Sequence, residues 1–169
     1  MRKKNWSPNK PHFKKKDTPE NQTLAFNFAI KYLSFRNRST KEVNDYLVKK
    51  NFDPETINVT LKNLIDKKFI NDEEFTNQWI ESRQKYKNKS KLVLKQELKL
   101  KGVSSGMIDH TLSNAEDDIE VAKRLFEKKK KTLGNLPPEE FKKKMGGFLQ
   151  RRGFSYDVIS KLIKSRPEA

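Results

Sequence analysis

The chemistry in this sequence sits on basic side chains. Arg36, Arg38, Arg83, Lys85, Lys87, Lys89, Lys101, Lys128, Lys129, Lys142, Lys143, Arg151 and Arg152 are the candidates for contact with a partner. A guanidinium is planar and always charged, so it can hold a phosphate or carboxylate through two parallel hydrogen bonds. Clustered ammonium groups add field strength without that geometry. Arg36, Arg38 and Arg83 stand near helix ends in a chain that otherwise prefers lysine. They suit clamps on an anionic partner, or cations paired with a helix C-terminus or a nearby carboxylate; both readings stay open. Lys128 to Lys131, Lys142 to Lys144 and Arg151-Arg152 are consecutive runs. Consecutive residues point around a helix, so only part of each run can meet one surface.

Other reaction classes find little support. Cysteine is absent, which removes thiolate catalysis, disulfides and Cys-ligated metal. His12 and His110 are the only histidines, lack metal-ligand spacing, and read as solvent-exposed. Glu116-Asp117-Asp118 has the composition of a carboxylate metal site. It precedes Ile119, Val121, Ala122 and Leu125, so it reads as the acidic first turn of a helix. Neither a glycine-rich phosphate loop nor a nucleophile–base pair is present. No catalytic, metal-binding or cofactor-binding residue is expected, and the chain reads as a non-enzyme. No apolar run approaches the ~20 residues needed to span a bilayer, and no apolar stretch follows the basic N-terminus as in a secretory signal. A reducing cytoplasm is the expected compartment.

Charge distribution sharpens the partner class. The 169 residues hold 38 basic and 22 acidic side chains, a net charge of +16. Residues 1–23 carry net +5 and residues 121–169 net +9, while residues 73–120 carry net −1. Inside that last segment, eight basic residues and one acid, Glu97, lie between Arg83 and Lys101. Three separate basic regions point to a polyanion. Tyr32, Phe35 and Tyr86 stand among these cations, the arrangement of single-strand binders; ordinary packing is the favoured reading. Trp79 reads as a core anchor, since Phe75 and Ile80 share its helical face.

The elements that position these residues follow from an internal repeat. Lys50-Asn51-Phe52, Lys101-Gly102-Val103 and Arg152-Gly153-Phe154 are spaced 51 residues apart, twice. The same offset aligns Val43, Leu94 and Met145, then Leu47, Leu98 and Leu149, then Ile57, Ile108 and Ile159, then Leu61, Leu112 and Ile163. Ile57, Leu61, Leu64 and Ile65 follow the period of an amphipathic helix, as do Val43, Tyr46 and Leu47 before them, and Phe26, Ala29, Ile30 and Leu33 before those. Each copy is therefore three helices, A, B and C. Ser39-Thr-Lys-Glu42 is a capping box for B, and Asp53-Pro54 a cap and first residue for C. Pro137-Pro138-Glu139-Glu140 opens the third B, and Asn51, Gly102 and Gly153 end B at positive φ.

These residues resemble the RecX family. Ala29-x-x-x-Leu33-x-x-Arg36-x-Arg38-Ser39-x-x-Glu42 is similar to its opening helix pair, and Phe69-Ile70-Asn71-Asp72-x-x-Phe75-x-x-x-Trp79-x-x-x-Arg83 to its junction into the second unit. Leu94-x-x-Glu97-Leu98-x-x-Lys101-Gly102-Val103 and Phe148-Leu149-x-Arg151-Arg152-Gly153-Phe154-Ser155 are similar to its later motifs. The resemblance covers about residues 24 to 166. One departure is Asn88-Lys89-Ser90, where a glycine is usual in the A–B loop.

The expected fold is all-α: three tandem three-helix, helix-turn-helix-like repeats in an elongated, curved array. Residues 1–23 form a basic disordered tail, and the repeats occupy residues 24–71, 72–115 and 116–169. The resemblance implies a cytoplasmic regulator that binds the RecA–single-strand DNA filament and inhibits its ATPase and strand exchange. It implies no cofactor. Single- and double-stranded DNA are further possible partners, a membrane is not, and the protein is expected to be a monomer. The alternative is a sequence-nonspecific DNA-binding helical module.

Overall fold

Three helix endings show why the repeat folds as it does. At Asn51, Gly102 and Gly153 the backbone turns to φ 62, 79 and 86°. The next amide closes back on helix B: Phe52 N–H to Leu47 O at 3.3 Å, Val103 to Leu98 at 3.1 Å, and Phe154 to Leu149 at 3.4 Å. The turning residue itself bonds the carbonyl three residues back, Val48, Lys99 or Gln150. This is the Schellman motif, built at the end of helix B in all three repeats. Phe52, Val103 and Phe154 are buried by the fold-back. Helix C then starts one residue later, at N-caps Asp53, Ser104 and Ser155, also 51 apart.

The computed structural model describes residues 17–165. Among them are nine helices and no strand. The first repeat comprises α1 (Pro19–Leu33), α2 (Thr40–Lys49) and α3 (Pro54–Asp66). The second comprises α4 (Asp72–Lys87), α5 (Lys91–Leu100) and α6 (Ser105–Ser113). The third comprises α7 (Asp118–Leu133), α8 (Pro138–Gln150) and α9 (Tyr156–Lys164). The tail expected over residues 1–23 lies outside the described residues up to residue 16. Its last five residues are instead the start of α1, because Thr18 caps the helix and Pro19 opens it. The capping box is formed as expected: the Ser39 hydroxyl accepts from Glu42 N–H, and the Glu42 carboxylate from Ser39 N–H.

The aligned apolar columns become the cores. Val43, Leu94 and Met145 are fully buried, as are Leu47, Leu98 and Leu149. Each repeat has its own cluster: Ala25, Ala29, Phe52, Ile57 and Leu64 in the first, Phe75, Ile80 and Ile108 in the second, Val121, Leu125 and Phe141 in the third. Ile65 departs from the expected stripe and is exposed.

The chain divides into two compact units, one ending at Asp72 and the other beginning at Glu73. The second and third repeats therefore pack as one body. Arg152 donates from Nη1 to Lys87 O at 3.0 Å, and Ser90 N–H bonds Arg152 O at 3.4 Å. Gln84 Nε2 donates to Glu116 O at 2.9 Å. Asn88, in the A–B loop of the second repeat, takes φ 46° and is buried. Asparagine adopts the left-handed conformation more readily than other residues with a β-carbon.

One junction bond is also repeated. Asp118 Oδ1 accepts from the Lys91 N–H at 2.8 Å, at the free N-terminus of α5. Asp72 does the same for Thr40 N–H at 2.8 Å, at the start of α2. Burial raises the Asp118 pKa, and neighbouring Asp117 adds to this, while the Lys91 amide and charge oppose it. The raised value means the folded form holds its proton more readily than the unfolded chain. The associated stabilisation is full below the unfolded pKa and is lost as pH rises through the folded one. Asp118→Asn keeps an acceptor oxygen without the buried charge, so it is expected to be tolerated at neutral pH. Asp118→Ala leaves the amide bare and should cost about 1 kcal/mol. As pH falls from 7 toward about 4, the ordinary carboxylate range, the wild type should gain stability relative to Asp118→Asn. Urea unfolding of both proteins across that range checks the sign.

Candidate cationic interface

Local sequence places the candidate cations at helix ends and in the A–B loops. In the first repeat, Arg36 spends its fork on a neighbour. Nη2 and Nη1 reach the two Glu42 oxygens at 2.8 and 3.2 Å, and Nη1 also reaches Asn37 O at 2.8 Å. Arg38 lies 4.1 Å from the Tyr32 ring, and Tyr32 stacks on Tyr46 at 4.1 Å with the planes 6° apart. The two layers cannot share one face, so Tyr32 is sandwiched between them. Its aromatic surface is used in packing, as favoured from sequence. Phe35 and Tyr86 differ: they are 75% and 70% exposed, and packing does not account for them.

In the second repeat the single acid of the basic run is the centre. Glu97 accepts from Trp79 Nε1–H at 3.0 Å and from Lys89, and Arg83 Nε lies 3.7 Å away. Arg83 sits 4.1 Å and the Lys101 ammonium 5.1 Å from the Trp79 ring. Trp79 is thus a half-buried anchor at the rim of the core, held by cations and a carboxylate. The sequence marks Glu97 as the one acid of a basic run and as part of a family-like motif, but not as the shared acceptor of Trp79 and Lys89. Lys85 and Lys87 extend from the last turn of α4 into solvent, with Lys85 5.6 Å from the Tyr86 ring.

In the third repeat, Lys142 pairs with Glu139 at 2.9 Å and Lys144 with Glu140 at 2.7 Å. Lys128 is exposed, and Lys129, Lys143 and Arg151 line one groove between α7 and α8. Arg152 is turned inward, to Lys87 O and to the Phe148 ring at 5.6 Å. The structure therefore engages Arg36, Arg38, Arg83, Lys89, Lys101, Lys142 and Arg152 within the fold. It leaves Lys85, Lys87, Lys128, Lys129, Lys143 and Arg151 without an ion pair among the described residues. An exposed pair such as Lys142–Glu139 is worth under about 1 kcal/mol, so that engagement does not withhold Lys142 from a partner.

The acidic stretch 116–118 is accounted for by cations. Glu116 receives Arg124 through two hydrogen bonds, one at 2.8 Å, and the Arg124 contact holds its carboxyl below the usual range. Asp117 faces the Lys91 ammonium at 3.2 Å. No group of three or more His, Asp or Glu side chains among the described residues could hold a metal ion. No helix there is long and apolar enough to cross a membrane.

Comparison with known proteins agrees with this architecture. Residues 25–64 match the first three-helix domain of RecX, residues 71–112 the second and residues 116–163 the third. The regulatory protein RecX of Bacillus subtilis (strain 168) is 40% identical over 138 residues, 80% of this chain and 52% of its own. That of Bacillus pumilus (strain SAFR-032) is 36% identical over 142 residues, 83% of this chain and 54% of its own. The chain thus spans about half the length of the curated relatives it matches. The crystal structure of RecX from Lactobacillus salivarius superposes with a TM-score of 0.77 at 26% identity, covering 87% of this chain and 97% of that one. With all three domains matched in order on the nine helices of the described residues, which repeat one cap and one core, the chain belongs to the RecX family.

Proposed function

We propose that this protein binds the RecA–single-strand DNA filament and restrains its ATP turnover and strand exchange, acting as a cytoplasmic monomer without a cofactor. The observation that carries the reading is the ordered match to the three RecX domains over residues 25–163. The net charge of +16 supports a polyanionic partner. A bound protein shifts a conformational equilibrium only by its differential affinity for the states. Restraint therefore requires tighter binding to the inactive filament than to the active one. Titrating the filament's ATPase with this protein should give progressive, saturating inhibition. Full turnover at saturating, demonstrably bound protein would defeat the proposal.

A second reading, direct nonspecific binding of nucleic acid, is favoured by exposed Phe35 and Tyr86 beside Arg36, Lys85 and Lys87. Exposed rings among cations suit stacking on unpaired bases. The two readings separate when preassembled filaments and bare strands are compared in the same salt. Equal affinities favour the second. Either partner should release at high salt: six to ten neutralised phosphates cost about 10³–10⁵ in affinity between roughly 50 and 200 mM.

A further inference from the structure

The groove between α7 and α8 is built differently from the rest of the cationic surface. It is an open depression of about 530 Å³, comparable in volume to the ~300–1,000 Å³ of ordinary ligand sites. Its floor is apolar: Leu133 on α7, Gly147 and half-buried Phe148 on α8. Its rim carries Lys129, Lys143 and Arg151, none with an ion pair among the described residues. The one carboxylate at the rim, Glu140, is held by Lys144 at 2.7 Å. Gly147 keeps the depression open. A β-carbon there would stand 3.4 Å from Arg151 Nη1, so the guanidinium lies across the glycine.

We infer that this groove receives an acidic peptide, with one large apolar side chain on the Leu133–Gly147–Phe148 floor and flanking carboxylates on Lys129, Lys143 and Arg151. Charge complementarity sets the sign of the occupant. The floor decides between a peptide and a nucleic acid. A nucleobase needs an open aromatic face, but the half-buried Phe148 ring has the Lys129 ammonium at 5.5 Å and the Arg152 guanidinium at 5.6 Å. Phosphates also recur along an extended track, whereas these three cations ring one depression. A single apolar side chain needs no face-on stacking: it can rest against Leu133 while the flexible Arg151 end swings off Gly147 to meet a carboxylate. A carboxylate suits the Arg151 fork, which takes two parallel hydrogen bonds. The inference is independent of the RecA reading, and its test contains no filament.

The experiment uses the full chain and a short fluorescein-labelled peptide of aspartates and glutamates around one central phenylalanine, read by fluorescence anisotropy. Binding is expected, and should weaken about tenfold when the phenylalanine is replaced by serine, since a buried aromatic contributes that much. Gly147→Leu fills the groove at unchanged charge and should weaken the peptide at least as strongly. Its nearest neighbour is the flexible end of Arg151, and leucine favours helix over glycine, so the variant should fold; circular dichroism confirms this. Lys143→Glu/Arg151→Glu should abolish binding. Equal affinity for the serine peptide, or undiminished binding to Gly147→Leu, would overturn the proposal, because attraction would then be charge alone. It would also fall if Gly147→Leu weakened an oligothymidylate and spared the peptide, for the groove would then hold a nucleic acid.

Discussion

Gly153→Ala is expected to destabilise the second compact unit by about 2–4 kcal/mol, seen as an earlier urea midpoint. Two independent costs meet at this position. At φ 86° an added β-carbon is strained, worth about 1 kcal/mol or more. That carbon would also stand 2.4 Å from Val93 Cγ2 and 2.5 Å from Ser90 Oγ, both on the neighbouring repeat. Relieving overlap in a packed contact typically costs about 1–3 kcal/mol. Gly102 separates the two effects. It is the same residue of the second repeat, at φ 79°, and it is exposed. Gly102→Ala should therefore lose only the conformational part, about 1 kcal/mol. If the two substitutions prove equal, the close approach of α5 to the third repeat is not a constraint on Gly153.

The second large effect is expected at Trp79. Trp79→Ala removes a half-buried indole that touches Phe75, with centroids 5.5 Å apart, and supports the Arg83 and Lys101 cations. A cost of about 3 kcal/mol is expected, the low end for buried aromatics because one edge is wet. Trp79→Phe keeps one aromatic ring but loses the five-membered ring of the indole together with the Nε1–H donated to Glu97. It should cost about 1–2 kcal/mol. Glu97 has other donors, Lys89 and Arg83, so the Trp79→Phe and Glu97→Gln changes should couple in a double-mutant cycle. Strict additivity would show that the Glu97 charge adds nothing to the indole hydrogen bond, since glutamine can still accept it. Asp53 and Glu116 add a pH dependence opposite to that of Asp118. The Asp53 carboxylate resists its own burial through bonds from the Thr56 hydroxyl and the Thr56 and Glu55 amides, and its pKa is lowered. Stability from both is present above the unfolded pKa and lost as pH falls through the folded one.

The helical content and the repeat register were legible because their causes are local. A Schellman ending needs one residue able to take positive φ and one apolar residue after it; Asn51-Phe52, Gly102-Val103 and Gly153-Phe154 supply both. An amphipathic stripe needs only spacing, and the columns led by Val43 and Leu47 are the cores. The beginning of α1 was misplaced because polar residues 19–23 lack an apolar stripe, although Thr18-Pro19 carries the cap signal. The expected tail was judged by composition, and composition does not register a cap.

The three-helix unit, its threefold use and the polyanion-seeking charge all follow from residue types and their spacing. Which cations have partners and which face solvent depends on how distant segments pack. Arg152 looks like its neighbour Arg151, yet it bonds Lys87, 65 residues earlier, while Arg151 lines a groove. Tyr32 and Tyr86 both stand beside cations, but one is sandwiched and the other exposed. A lysine or arginine reaches far from its backbone, and its partner is chosen by whatever folds within that radius. Helix caps and apolar periods are settled within a few residues; long charged side chains are settled by packing between segments that are remote along the chain.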